Sequence, residues 1–272
     1  MRPRLVATDL DGTLLRRDGS VSDRTRSALQ GAEDAGLVVA FVTGRPPRWL
    51  DAVVEETGHL GVAVGANGAV LYDLHTEQVL SVHALDAATV HELACEIRAA
   101  FPGVHFAVEY TDGFAAEPGY VHDWEINPPT DRRGEQVAPP VVGNLEQLAS
   151  RPAVKLLAKD RAADVDTFLR SADVLLAGRA SVTHSSRFGL LEIAAAGVTK
   201  ATGLAELAAR HDIAPAEVIA IGDMPNDVPM LLWAGKSYAV ANAHPAAKAA
   251  ADHVVGNHED DAVAIVIESL LR

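Results

Sequence analysis

The stretch RLVATDLDGTLL, Arg4 to Leu15, decides how the rest of the chain is read. Its first half is a mostly apolar run suited to a strand buried on both faces, as in parallel sheets. The run ends in two carboxylates, Asp9 and Asp11, with one leucine between them, and then Gly12 and Thr13. Two such anions ~4 Å apart repel by about 4 kcal/mol at an effective dielectric of ~20, so the pair asks for a cation or a shared proton. Side chains two apart share a face of a strand, and Gly12 turns the chain just beyond. Open α/β sheets bind ligands at the carboxyl ends of their strands, which is where both acids fall. An Asp-Gly turn accounts for DG alone; it does not account for the apolar run followed by D-L-D-G-T.

Outward from this strand, the chain alternates strand and helix. Ser22–Gly36 offers a serine cap, a helical stretch and a closing glycine, and LVVAFVTG follows as a second buried strand, which makes a βαβ unit. Pro46 and Pro47 open a helix through about Thr57, and VAVGANGAVLYD reads as a strand and an Asn67-Gly68 turn leading into a hairpin. Between about Ser81 and Arg187 the pattern changes to short strands (HFAVEY, VKLLAK), helices and a Pro-, Asp- and Arg-rich loop near NPPTDRRGEQVAPP. Beyond it the strand-helix rhythm returns. The expected architecture is α/β: a Rossmann-like parallel-sheet core from residues 1–80 and 189–272, with 81–188 as an inserted α+β cap domain.

Three further groups repeat the logic of the first. VIAIGDMPND again follows an apolar strand with acids, presenting Asp223, Asn226 and Asp227 around a loop. Two carboxylate clusters at the ends of two parallel strands form a hard oxygen-ligand set, which favours Mg²⁺. In AFVTGRPP, Thr43 ends a strand, Gly44 lets backbone approach a ligand, and the prolines start a helix whose free N–H groups attract anions. Lys200, in GVTKATGL, stands at a helix start where a cation opposes the dipole; the placement suggests that it serves a ligand.

Composition narrows the function. The 272 residues are 49% hydrophobic, enough for a sizeable core, and 23 Lys and Arg against 37 Asp and Glu give a formal net charge of −14. That balance opposes nucleic-acid and anionic-membrane partners. Cys95 is the single cysteine, expected as a small apolar residue in a helix, so no internal disulfide forms. No secretory h-region and no apolar stretch of ~20 residues is evident, so the expectation is a cytoplasmic protein.

The set DLDGT (Asp9–Thr13), VTGR (Val42–Arg45), GVTK (Gly197–Lys200) and GDMPND (Gly222–Asp227), in that order, resembles the haloacid dehalogenase-like phosphohydrolases, in particular their Cof-like subgroup with an inserted cap; GANGA and SSRFGLLEI are similar to it too. The resemblance implies an Mg²⁺-dependent phosphatase of small phosphorylated metabolites, such as a sugar phosphate or a phosphorylated cofactor. In it Asp9 is the nucleophile that becomes an aspartyl-phosphate, and Asp11 is the general acid and base. Asp9, the Asp11 carbonyl and Asp223 hold the metal, with Asp227 in support; Thr43, Gly44, Lys200 and Asn226 grip the phosphoryl group. A phosphotransferase or mutase on the same scaffold is the alternative. A non-enzymatic phospho-aspartate signalling module is a second, although such modules are shorter and carry their first acids adjacent. Candidate leaving-group contacts are Arg45, Asn67, Arg179, His184, Ser186 and Arg187, with Glu109, Tyr110 and Trp124 behind them. Which phosphorylated substrate is bound, and the oligomeric state, are not legible.

Overall fold

A computed structural model describes residues 2–120, 141–185 and 189–272. The chain begins with β1 (Leu5–Thr8), β2 (Val38–Val42), β3 (Val62–Gly65), β4 (Val70–Asp73) and β5 (Gln78–Val82). It continues through β6 (His105–Glu109), β7 (Phe114–Ala116), β8 (Val141–Val142), β9 (Lys155–Lys159), β10 (Ala180–Thr183) and β11 (Leu190–Ala195), and ends with β12 (Val218–Gly222), β13 (Lys236–Ala239) and β14 (His253–Val254). These strands form two sheets. The larger has the order β14-β13-β12-β1-β2-β3-β4-β5 and the smaller β10-β11-β9-β6-β7-β8.

In the larger sheet, β14 through β3 run parallel and β4 and β5 return antiparallel. Every residue of β1 is buried, as its uninterrupted apolar run requires of a strand covered on both faces. The helix Asp23–Asp34 that links β1 to β2 starts where Ser22 accepts a hydrogen bond from the Thr25 N–H, and it buries Ala28, Leu29 and Ala32. The expected single helix from Pro47 to Thr57 is instead a 3₁₀ turn, Pro47–Trp49, followed by the helix Asp51–Thr57.

The smaller sheet is antiparallel except for the β7–β8 pair. One of its faces is covered by the helices Ala87–Ala100 and Val165–Leu176, through Val90, Leu93, Ile97 and Phe168 among others, with Phe101 and Phe168 edge to face at 4.7 Å. The other face carries Ala107, Phe114, Ala116, Leu157 and Leu190, together with Tyr120, and against them lies Trp49 from the larger unit. The insert is therefore an α+β layer set over the end of the parallel sheet.

Sheet membership differs from the expected boundaries at both ends. β5 runs to Val82 within the larger sheet, and β11, expected to resume the core after residue 188, pairs with β9 and β10 in the smaller one. LLEIAA, apolar but for Glu192, is a short run that suits either sheet, and only pairing decides which one takes it. Cys95 also departs from expectation: it lies on the exposed side of its helix, opposite Leu93, Ala94 and Ile97. The Pro-rich loop near residues 127–140 lies outside the described residues. Among the described residues no helix is long and apolar enough to cross a membrane.

Candidate active site

Strand order assembles the site. β12, β1, β2 and β3 are neighbours and parallel, so the segments that leave their carboxyl ends meet: Asp223 after β12, Asp9 after β1, Thr43 after β2 and Asn67 after β3. Thr13 and Asp223, 210 positions apart, are joined by a hydrogen bond of 3.3 Å from the threonine hydroxyl. Glycine is required twice. Gly12 has φ +81° and a Cβ there would lie 2.6 Å from Asp223 Oδ2; Gly68 has φ +101° and its Cβ would lie 2.0 Å from the Thr199 carbonyl oxygen. Gly68 thus lets the β3–β4 turn close onto the start of the helix Lys200–Arg210, whose cap is Thr199.

Asp9, Asp223 and Asp227 are all buried, and each places a carboxylate oxygen within 4.8 Å of the others. Lys200 is almost wholly buried between them, its Nζ donating to Asp9 Oδ1 at 2.6 Å and to Asp227 Oδ1 at 2.5 Å. Asp227 is fully committed, because its Oδ2 accepts the N–H groups of Asp223 and Met224, each at 2.8 Å. The oxygens left for a ligand belong to Asp9 and Asp223. Burial lifts the Asp9 carboxyl well above the usual range, against the pull of Lys200 and with Asp227, Asp223 and Asp11 adding to it. Burial, then the Asp227 charge, pushes Asp223 up to about 7. Burial alone would lower the Lys200 ammonium, but the carboxylates of Asp227 and Asp9 outweigh it and hold it above its ordinary value. One lysine therefore leaves the acid cluster under-compensated, and a hard divalent cation fits the all-oxygen donor set.

Asp11 differs. Its side chain is 59% exposed, and Arg45 holds it bidentately, Nε to Oδ2 at 2.8 Å and Nη2 to Oδ1 at 2.6 Å. Thr43 is buried, and its Oγ1 accepts the Arg45 N–H at 3.0 Å. Asn226 Nδ2 donates to Asn67 Oδ1 at 3.1 Å. Asp9, Asp11, Thr43, Gly44, Arg45, Asp223 and Asn226 line one cavity of about 510 Å³, which the inserted layer covers with Phe114, Tyr120, Leu157 and Leu190.

The other candidates separate clearly. Glu109 lines the cavity and is clamped by the Arg48 guanidinium. Arg179 pairs with Glu96 on the surface and His184 is buried against Asp166 at 3.1 Å; neither lines the cavity. Tyr110 donates to the Leu148 carbonyl under the Arg151 guanidinium, a packing role. Ser186, Arg187 and Trp124 lie outside the described residues. Sequence reading missed Lys155, Glu192 and Ser185 in the lining, as well as Arg48 on Glu109. Glu192 carried a signal, a charge inside an otherwise apolar strand that demands a buried partner; Lys155 opens its strand, where a charge is ordinary.

Comparison with known proteins gives the same picture. The sequence pattern described as haloacid dehalogenase-like hydrolase matches residues 6–267. The 5-amino-6-(5-phospho-D-ribitylamino)uracil phosphatase YitU of Bacillus subtilis is 27% identical over 97% of this chain and 96% of its own. The pyridoxal phosphate phosphatase YbhA of Escherichia coli is 25% identical, with both chains fully covered. The crystal structure of SMU.1108c from Streptococcus mutans superposes with a TM-score of 0.84 over 99% of both chains at 23% identity, a likeness of fold. With the family pattern spanning nearly all of the sequence and acidic segments meeting at the ends of adjacent parallel strands, the chain belongs to the haloacid dehalogenase-like hydrolases and is an enzyme.

Proposed function

We propose that the enzyme hydrolyses phosphate monoesters of small metabolites, with Asp9 as nucleophile. The observation that carries this reading is the environment of Asp9: a buried carboxylate held by Lys200 and faced by Asp223, at the floor of a cavity whose rim is Thr43, Gly44 and Asn226. Asp9 and Asp223, with the Asp11 carbonyl, would hold Mg²⁺. Bound there, the cation would neutralise the acid cluster and the phosphate charge, which an enzyme of net charge −14 must do locally.

The chain's own residues supply the rest. The Lys200 ammonium holds and orients the Asp9 carboxylate, whose ionised form a cation bound beside it would favour. A carboxylate oxygen of Asp9 forms a bond to phosphorus as the ester oxygen leaves. Asp11 gives that oxygen its proton and then takes one from the water that cleaves the aspartyl-phosphate, so inorganic phosphate and free Asp9 are regenerated. The exposed Asp11 side chain can swing to do so, as an arriving phosphate competes for the Arg45 guanidinium that otherwise holds it. The Thr43 hydroxyl, Gly44 N–H and Asn226 amide hold the phosphoryl oxygens.

The cavity lining includes an apolar patch, Trp49, Phe114, Leu157 and Leu190, which favours a leaving group with a flat ring. The names of YitU and YbhA likewise describe phosphates of ring-bearing molecules. The test is release of inorganic phosphate from a panel of esters with Mg²⁺. We expect an ester with a flat aromatic ring, such as pyridoxal phosphate, to exceed a hexose phosphate in kcat/KM by roughly tenfold, the discrimination that an apolar pocket supplies. Isomerisation of a sugar phosphate without release of phosphate would mark a mutase and overturn the reading.

A further inference from the structure

We propose that Lys155 and Glu192, a buried ion pair on the inserted layer, are positioning residues that fix the hydrogen-bond directions of the phosphate-gripping groups. The phosphate site is then complete only with that layer seated on the core. The inference rests on the phosphatase reading above and extends it to residues outside the four acidic and Gly-rich motifs.

Both side chains are 6% exposed or less, and Lys155 Nζ donates to Glu192 Oε2 at 2.5 Å. Charges so deeply placed are costly unless the surroundings use them fully, and here they do. Lys155 Nζ also donates to the Gly44 carbonyl at 2.8 Å, and Glu192 Oε2 accepts from Asn67 Nδ2 at 2.9 Å. Ser185 Oγ donates to the remaining oxygen, Oε1. Lys155 and Glu192 sit on β9 and β11 of the smaller sheet, whereas Gly44 and Asn67 follow β2 and β3 of the larger, so two of these bonds cross between the layers.

A carboxylate only accepts, so Glu192 forces Asn67 to present its nitrogen upward and its oxygen toward Asn226. Asn226 must then turn its own nitrogen to Asn67, which leaves its second N–H for the cavity that it lines. The Gly44 carbonyl belongs to the same peptide as the Arg45 N–H, which donates to Thr43 Oγ1. With Lys155 fixing that peptide plane, the Thr43 hydroxyl is already an acceptor and has its proton free for a phosphoryl oxygen. Two amides and a hydroxyl are thus pointed by one ion pair.

The variants Glu192→Gln, Lys155→Met and the double variant test this. Glutamine keeps the shape of glutamate but can also donate, so the amides of Asn67 and Asn226 lose their enforced direction. Two quantities are measured: the affinity for inorganic phosphate with Mg²⁺ by calorimetry, and kcat/KM for esters with unlike leaving groups. Glu192→Gln and the double variant are expected to bind phosphate roughly tenfold more weakly, and to lose kcat/KM by the same factor for every ester. The double variant removes both charges, so it is expected to fold even if Lys155→Met alone, which strands a buried carboxylate, does not. Wild-type phosphate affinity in Glu192→Gln overturns the inference, as does a loss confined to certain leaving groups, or no phosphate binding by the unaltered chain. If the unaltered chain binds phosphate but hydrolyses no ester, the phosphatase reading fails by itself and phosphate affinity still decides this one.

Discussion

Asp11 and Asp9 lie two residues apart and sit in opposite environments: one is largely exposed and held by Arg45, the other is buried against Lys200. Pairs of like groups whose surroundings differ this much can divide acid-base work from nucleophilic work. We therefore expect Asp11→Asn to lower turnover by roughly 10²–10⁴-fold, the usual share of general acid-base catalysis. The loss should be larger for esters with poor leaving groups, which need the proton most; steady-state rates across a leaving-group series check this, and an equal loss across the series contradicts the role. The acid pair is also where the sequence is most legible, because two carboxylates after an apolar run need a partner whatever surrounds them. Lys155 and Glu192 were harder to see. Glu192 is one charge in a short strand, Lys155 is one of two lysines at the ends of another, and their partners Asn67 and Gly44 come from another layer, where no local pattern points to them.

Among the elements, the helix Asp51–Thr57 and the strand β2 enclose His59, which is 2% exposed, packs against Phe41 at 4.5 Å and bonds to Glu33 through Nδ1 at 2.8 Å. Burial lowers its pKa from 6.5, in spite of the opposing pull of Glu33. Below pH 6.5 the unfolded chain therefore takes up a proton that the folded chain resists, so the contribution of this group is complete above 6.5 and is lost as pH falls beneath it. Denaturant titrations between pH 6.5 and about 5 should show a shallower decline for His59→Gln than for the unaltered chain; equal slopes would contradict the assignment. The parallel elements were readable because period and capping act locally: the apolar runs of β1, β2 and β12, and the Ser22 cap. β11 was not, since its apolar residues suit either sheet and the single charge among them, Glu192, does not say which layer holds its partner.

At the scale of the whole molecule, one sheet order does the work. Placing β12 beside β1 and β1 beside β2 brings the first and last acidic segments together and leaves a cavity that the inserted layer roofs. That order was legible only through the resemblance of the four motifs taken as a set, because contacts between residues far apart in sequence leave no periodic trace. In the proposed reaction this convergence makes Asp9 a nucleophile toward phosphorus. The most direct measurement is Mg²⁺-dependent release of phosphate from p-nitrophenyl phosphate by the unaltered chain and by Asp9→Asn, with circular dichroism reporting the fold of each. We predict turnover that stops on chelation of the metal in the first and no turnover from a folded protein in the second; undiminished release by Asp9→Asn would contradict the claim.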